Sequence, residues 1–139
     1  MFQQRRFEEA ARVFRHAAEL PHGSAPAWCN LAAACVELRQ PEQALAAAER
    51  ALALAPEFAP AHANRGDALR LAKRDLTLCR DAYRRAVELQ PRSPDLLNKL
   101  ATTLQALGEL DAADEAYARA LALAPDYWLA RLNYGCLLI

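Results

Sequence analysis

Residues 51–56 read ALALAP, and the same pattern returns as AVELQP at 86–91 and as ALALAP at 120–125. The copies begin at residues 51, 86 and 120, so they are spaced by 35 and 34 residues, and a shortened form, AAELP, begins 34 residues before the first, at residue 17. A period of this length is typical of a solenoid, in which each structural unit contacts only its neighbours along the chain. The repeat therefore predicts a stack of copies of one small unit, an architecture that favours binding over catalysis.

Two helical patterns alternate within each unit. Starting at Trp28, apolar or small residues at i, i+3, i+4 and i+7 lie on one face of a helix. Pro41 ends this helix and begins the next, because proline fits the first turn of a helix but not its interior. Short connections of this kind make consecutive helices antiparallel. The pattern predicts an all-α chain of about eight helices, over residues 5–20, 25–39, 41–54, 59–72, 76–90, 94–107, 110–123 and 127–139.

The order of large and small residues within each unit resembles the tetratricopeptide repeat. The matching positions are Trp28, Leu31, Ala32, Ala44 and Pro56 in the first copy, Gly66, Tyr83, Ala86 and Pro91 in the second, and Tyr117, Ala120 and Pro125 in the third. The small residues let helix axes approach to about 8–10 Å, and the aromatic residues fill the space beside them. The resemblance covers essentially the whole chain and implies a right-handed α-solenoid of antiparallel helix pairs. The second copy departs from the pattern by one extra residue, which we expect in the turn around residues 73–76.

The resemblance also implies a single domain, 1–139, with whole repeats at 25–56, 59–91 and 94–125. The helix at 5–20 corresponds to the second helix of a repeat, and the helix at 127–139 corresponds to the first. Two interpretations of these unpaired helices stay open. The chain is a piece of a longer array or multidomain protein, or it self-associates head to tail, with the first helix of one copy completing the last repeat of another.

Composition and charge exclude several function classes. The chain has 17 Lys and Arg against 17 Asp and Glu, and this balance disfavours nucleic acid or an anionic membrane as the partner. No apolar run approaches the roughly 20 residues of a membrane span, so we expect a cytoplasmic location. The four cysteines include no Cys-x-x-Cys pair, which predicts buried thiols at Cys35 and Cys79 and no metal site. No catalytic or phosphate-binding motif is present, so neither an enzyme activity nor a cofactor is predicted.

The resemblance implies that the first helix of each repeat lines a concave groove that binds peptides. The position before the leucine of each repeat is Asn30, Asn64 and Asn133, with Lys99, beside Asn98, in the third copy. This recurrence is similar to the asparagine ladder of the repeats of O-linked N-acetylglucosamine transferase. A carboxamide both donates and accepts hydrogen bonds, so it can hold a peptide backbone of any sequence. Alternatively, asparagine is simply tolerated at a solvated helix position or bonds within its own helix.

Side-chain selectivity is expected one helical turn further along the groove. The residues at these positions are Asp67, Arg70, Thr102 and Gln105. Some chaperone-binding members of the family use a clamp of lysine and asparagine side chains for a C-terminal carboxylate. Cys29 and Ala33 occupy the positions offered by the first helix here, so binding of a chaperone tail is disfavoured.

The sequence thus predicts a protein–protein interaction module that binds an extended peptide. A substrate-recruiting arm of a larger glycosyltransferase or sulfotransferase and a self-assembling scaffold are the alternatives. The second repeat is rich in arginine and the third in carboxylates, which suggests either an acidic partner or surface pairs such as Asp81–Arg85.

Overall fold

The computed structural model describes residues 2–20 and 23–138. Over these residues the chain forms eight helices and no strand. The helices are α1 (Phe2–Glu19), α2 (Ala25–Glu37), α3 (Pro41–Leu54), α4 (Ala59–Leu71), α5 (Leu76–Leu89), α6 (Pro94–Ala106), α7 (Leu110–Leu123) and α8 (Trp128–Leu138). The first helix begins at Phe2, earlier than the sequence pattern predicts, and the predicted end of the last helix at Ile139 lies outside the described residues.

The helices stack in chain order, each packed against the next. In addition, α2 contacts α4 and α6 contacts α8, whereas α3, α5 and α7 make no comparable contact with one another within the described ranges. Because two of the three neighbouring pairs of even-numbered helices approach each other this closely, we take the even-numbered helices as the inner side of a curved stack. The inner side therefore carries the first helix of every repeat, as the resemblance implies.

The connection inside each repeat places one residue in the left-handed region. These residues are Arg39 (φ 58°), Lys73 (φ 57°) and Gly108 (φ 81°). The α4–α5 connection, residues 72–75, is one residue longer than residues 38–40 and 107–109, so the extra residue lies where the sequence places it. It supplies a helix cap, because the Asp75 carboxylate accepts a hydrogen bond from the Thr77 amide at 2.9 Å. That amide also lowers the pKa of Asp75.

The core is formed by small residues that face large ones. Ala32, Ala44, Ala101 and Ala113 are fully buried, at 0% exposure. Tyr83 and Tyr117 are the largest fully buried side chains of the described chain. The Tyr83 ring packs directly against Gly66, where no side chain separates the two helices. Small residues of one helix thus lie opposite large residues of the next.

Three of the four cysteines belong to this core. Cys29, Cys35 and Cys79 are buried free thiols, as predicted for Cys35 and Cys79, while Cys136 is exposed. Burial raises the pKa of all three buried thiols, which makes them poor nucleophiles.

Alanine at Gly66 and at Gly135 should have opposite effects on stability. A Cβ at Gly66 would lie 2.7 Å from Cε1 of Tyr83, whereas a Cβ at Gly135 would meet no atom within 4 Å. We expect Gly66→Ala to lower the free energy of unfolding by about 1–3 kcal/mol through overpacking. Gly135→Ala should leave it unchanged or raise it by up to about 1 kcal/mol through helix propensity. Urea unfolding followed by circular dichroism measures both, and equal stability of the two variants would contradict the packing described here.

Candidate peptide-binding groove

Two adjoining hollows lie on the inner side of the stack. The first, of about 240 Å³, lies between α1 and α2 and is lined by Phe7, Ala10, Phe14, Asn30, Ala33, Ala34 and Glu37. The second, of about 440 Å³, lies between α2 and α4 and is lined by Val36, Glu37, Arg39, Asp67, Arg70, Leu71 and Lys73. Because Glu37 lines both, the two hollows adjoin, and together we call them the inner groove. Three residues predicted for the binding site line it: Asn30, Asp67 and Arg70.

Asp67 is the centre of a polar network that crosses two repeats. Its carboxylate accepts hydrogen bonds from the Tyr83 hydroxyl at 2.5 Å and from Lys99 Nζ at 3.0 Å. The Arg70 guanidinium lies 3.6 Å from the same carboxylate, whose side chain is only 12% exposed. Burial and the adjacent Asp67 charge raise the pKa of Tyr83 well above its ordinary value. The sequence predicts that the Asp67 carboxylate recognises a peptide side chain, but in the structure its main partners are Tyr83, Lys99 and Arg70 of the same chain.

The equivalent tyrosine of the third repeat makes a similar contact. The Tyr117 hydroxyl donates to Oε1 of Gln105 at 2.8 Å, so a second residue predicted to provide selectivity also has an intramolecular partner. Thr102, the remaining member of this set, donates from Oγ1 to the carbonyl of Lys99 in its own helix at 2.9 Å. The sequence does contain a signal for the two tyrosine contacts. Tyrosine instead of phenylalanine at a buried position requires an acceptor near the end of its ring.

The asparagines of the predicted ladder join neighbouring repeats. Asn64 donates from Nδ2 to the Cys29 carbonyl and to its Sγ, both at 3.1 Å. Asn133 donates from Nδ2 to Oδ1 of Asn98 at 3.1 Å, and Asn98 is only 4% exposed. Each of these bonds spans one repeat, an arrangement that sequence analysis did not consider. Asn30, by contrast, is exposed at the edge of the first hollow.

The second hollow has an excess of positive charge. Arg39, Arg70 and Lys73 line it together with two carboxylates, Glu37 and Asp67. Lys99 Nζ also lies within 3.0 Å of Asp67, which offsets the charge of that carboxylate from outside the hollow. The charge of this hollow favours an acidic ligand.

The arginines of the second repeat form pairs other than the one predicted. Asp81 lies 3.1 Å from Arg80, and Arg85 pairs with Glu88 at 3.1 Å, so the predicted Asp81–Arg85 pair is wrong. Arg80 also reaches Glu109 of the third repeat at 2.6 Å. Opposite charges therefore meet across the boundary between repeats, and part of the charge asymmetry of the sequence serves the stacking of the repeats.

Neither a metal site nor a membrane-spanning helix is found in the part of the chain that the structure describes. No group of three or more His, Cys, Asp or Glu side chains there is arranged to hold a metal ion. Among the same residues, no helix combines the length and the apolar character that crossing a bilayer requires.

Comparison with known proteins identifies the repeat. Two models described as tetratricopeptide repeat match residues 25–58 and 82–115. The fold is a tetratricopeptide-repeat solenoid. The predicted fold class is thereby confirmed, from the all-α composition to the stacked helix pairs.

Solved tetratricopeptide-repeat structures superimpose on most of the chain. TTC0263, a thermophilic TPR protein of Thermus thermophilus, matches with a TM-score of 0.83 and 24% identity over 99% of this chain and 75% of its own. YrrB, described as a TPR protein with an unusual peptide-binding site, gives 0.78 and 22% identity over 95% of this chain and 68% of its own. The first TPR of Spaghetti (RPAP3), bound to an HSP90 peptide, gives 0.77 and 18% identity over 82% of this chain and 90% of its own. At these identities the comparison establishes the fold alone.

Alkaline pH should destabilise the solenoid through its buried tyrosines. Burial raises the pKa of Tyr117 to about 12, against about 10 for an exposed tyrosine. The unfolded chain therefore releases this proton first, so the stabilisation is complete below pH 10 and is lost as the pH rises from about 10 to 12. From pH 9 to pH 11 the free energy of unfolding should fall for both proteins. The fall should be about 1 kcal/mol smaller for Tyr117→Phe, which has no phenol at this position to ionise. Urea titrations at both pH values test this, and identical losses for both proteins would contradict it.

Proposed function

We propose that this chain is a protein–protein interaction module whose inner groove binds an extended, acidic peptide segment. The observation that carries the proposal is that the two hollows adjoin at Glu37, the first with apolar walls and the second with an excess of cations. The proposal agrees with the comparisons, because two of the similar structures are described as peptide-binding repeat proteins. A cytoplasmic location stays part of it, and the buried free thiols are consistent with a reducing compartment.

Each hollow would take a different part of the peptide. In the first, Phe7 and Phe14 provide apolar walls, and the small Ala33 and Ala34 leave room for an apolar side chain. Asn30 at the edge of this hollow would pair with the peptide backbone, since its carboxamide offers both a donor and an acceptor. In the second hollow, Arg39 and Lys73 would face the carboxylates of the peptide. Asn30 is the ladder position that best supports the proposed role, because Asn64, Asn98 and Asn133 already bond between repeats.

A substrate-recruiting arm of a larger transferase uses the same groove and remains an alternative form of the proposal. In either form the chain binds a peptide segment and catalyses no reaction itself. The two differ only in whether a catalytic domain is attached elsewhere in the protein.

Short random peptides displayed on phage provide the test for the groove. We expect selection on residues 1–139 to enrich peptides rich in Asp and Glu, whose affinity falls as salt rises. Arg39→Gln should weaken a selected peptide by about tenfold, measured by fluorescence anisotropy, because it removes one of the two cations that face the carboxylates of the peptide. Asn30→Ala should weaken it by about fivefold through the lost backbone bond. The matched control is Arg92→Gln, an exposed arginine in the α5–α6 connection, which should bind normally. If both groove variants bind like the unsubstituted chain, the groove is not the binding site.

We also propose, as a second function, head-to-tail association of residues 1–139. Gly135 in α8 corresponds to Gly66, which Tyr83 covers, but nothing lies within 4 Å of a Cβ at Gly135. Phe14 in α1 stands at the position that Tyr83 and Tyr117 occupy in the second and third repeats. The α8 helix of one copy would pack against α1 of another across the mouth of the first hollow, with Phe14 covering Gly135 as Tyr83 covers Gly66, and it would exclude a peptide from that hollow.

Light scattering across a concentration series tests this association. The mass of the unsubstituted chain should rise with concentration, because a head-to-tail contact can propagate. Phe14→Glu should hold the protein as a monomer, since it places a charge in the contact. Val13→Glu is the matched control, because Val13 is 64% exposed and adjacent and the change in charge is the same. A constant monomer mass for the unsubstituted chain would overturn the proposal.

A further inference from the structure

A second groove lies on the opposite face of α2 from the inner groove. It has a volume of about 570 Å³ and runs between α1 and α3, with α2 as its floor. We call it the outer groove; its lining residues are Arg15, Trp28, Leu31, Cys35, Gln43, Ala46, Ala47 and Arg50. Trp28, Leu31 and Cys35 point away from Asn30 and Ala33, because residues two apart on a helix are separated by about 200°. A ligand in the outer groove therefore does not occupy the inner groove.

The two arginines of the outer groove are held in place without a carboxylate. Arg15 donates from Nη2 to Oε1 of Gln43 at 2.8 Å and thereby joins α1 to α3. The guanidinium of Arg50 lies 5.5 Å from the centre of the Trp28 ring, in a cation–π contact. No acidic residue lines the groove, and no ion pair within 4.0 Å involves either guanidinium in residues 2–20 and 23–138.

The corresponding place in the second repeat carries an ion pair of its own. One repeat later, Glu49 stands in place of Arg15, and Arg65 stands in place of Leu31. The two side chains lie 4.0 Å apart, so this repeat supplies the carboxylate and the cation together. In the first repeat, by contrast, cations at the sides of the groove meet an apolar floor.

We propose that the outer groove binds an acidic segment of a partner protein in which a carboxylate adjoins a large apolar side chain. The apolar side chain would lie on Leu31, Ala46 and Ala47, where its surface is removed from water. The carboxylate would bind between Arg15 and Arg50, whose planar guanidinium groups can each donate two parallel hydrogen bonds. Stacking on Trp28 leaves the N–H edges of Arg50 available for this contact. The site is independent of the inner groove and goes beyond the function proposed above.

The probe for this site is N-acetylphenylalanine, which joins a carboxylate to an aromatic side chain. Its titration into the isotope-labelled chain, followed by NMR, should shift the indole N–H of Trp28 and the amides of Ala46 and Ala47, with a Kd of about 1 mM. The neutral analogue N-acetylphenylalaninamide should bind about tenfold more weakly, because it lacks the charge. Inorganic phosphate at the same concentration should not shift the amides of Ala46 and Ala47, because it has no apolar part.

Three variants test the roles of the side chains. Arg15→Gln and Arg50→Gln should each weaken the probe by about fivefold or more. Ala46→Glu, at an exposed position of α3, should also weaken binding of the probe, because the new carboxylate competes with the probe for Arg15 and Arg50. This variant keeps both arginines. Arg85→Gln is the matched control, since Arg85 is the counterpart of Arg50 and pairs with Glu88, and its probe affinity should be unchanged. Circular dichroism melts verify that each variant folds.

Three results would overturn the proposal. The first is equal affinity for the probe and its neutral amide, which would show that the groove binds apolar groups without using its arginines. The second is unchanged affinity in both arginine variants. The third is a set of shifts confined to Asn30, Ala33 and their neighbours, which would assign the probe to the inner groove.

Discussion

The contact between the Tyr83 ring and the backbone of Gly66 is the constraint on which much of the structure depends. A ring against a residue without a side chain brings α4 and α5 close together and leaves Tyr83 fully buried. A buried tyrosine needs an acceptor for its hydroxyl, and Asp67, next to Gly66, provides it. That carboxylate then holds Lys99 of the following repeat. The packing of one helix pair thus determines the polar surface of the inner groove and links two repeats.

The first repeat lacks this arrangement, and its helix α2 contributes to both grooves. Ala48 stands where Tyr83 and Tyr117 stand in the later repeats, and Ala33 stands where Asp67 and Thr102 stand. The first repeat has neither a tyrosine hydroxyl nor an acceptor beside it, so it lacks the tyrosine–acceptor pair of the later repeats. The later repeats carry larger buried side chains, and side-chain bonds cross the boundaries on both sides of the second repeat. Substitution at equivalent positions therefore gives the later repeats large buried side chains and the first repeat small ones.

The sequence predicted the features that depend on spacing within one repeat. It did not predict the side-chain contacts between one repeat and the next. The helix pairs, the small and large positions and the longer connection at residues 72–75 follow from spacing within one unit. The partners of Asn64, Asn133 and Asp67 lie 35, 35 and 32 residues away, at distances that depend on how closely neighbouring units approach. A one-letter pattern gives the face on which a side chain lies, but it does not give the separation between that side chain and the next repeat. The outer groove was missed because Trp28 matches the repeat pattern, which predicts that it is covered, whereas its side chain is only partly buried.

The thickness of the stack in the first repeat has a consequence for how its two faces interact. The walls of the inner groove include Asn30 and Ala33, and the floor of the outer groove includes Trp28 and Leu31, so one helix, α2, separates the two proposed binding surfaces. If the ligands of the two grooves prefer different tilts of α2, each lowers the affinity of the other; if they prefer the same tilt, each raises it. The factor by which each ligand changes the affinity of the other is the same. The small residues around α2, among them Ala32, Ala44 and Ala48, interlock less with their neighbours than Tyr83 and Tyr117 do. A tilt of α2 that couples binding in the two grooves therefore costs least in the first repeat, because the fewest large side chains hold the helices together there.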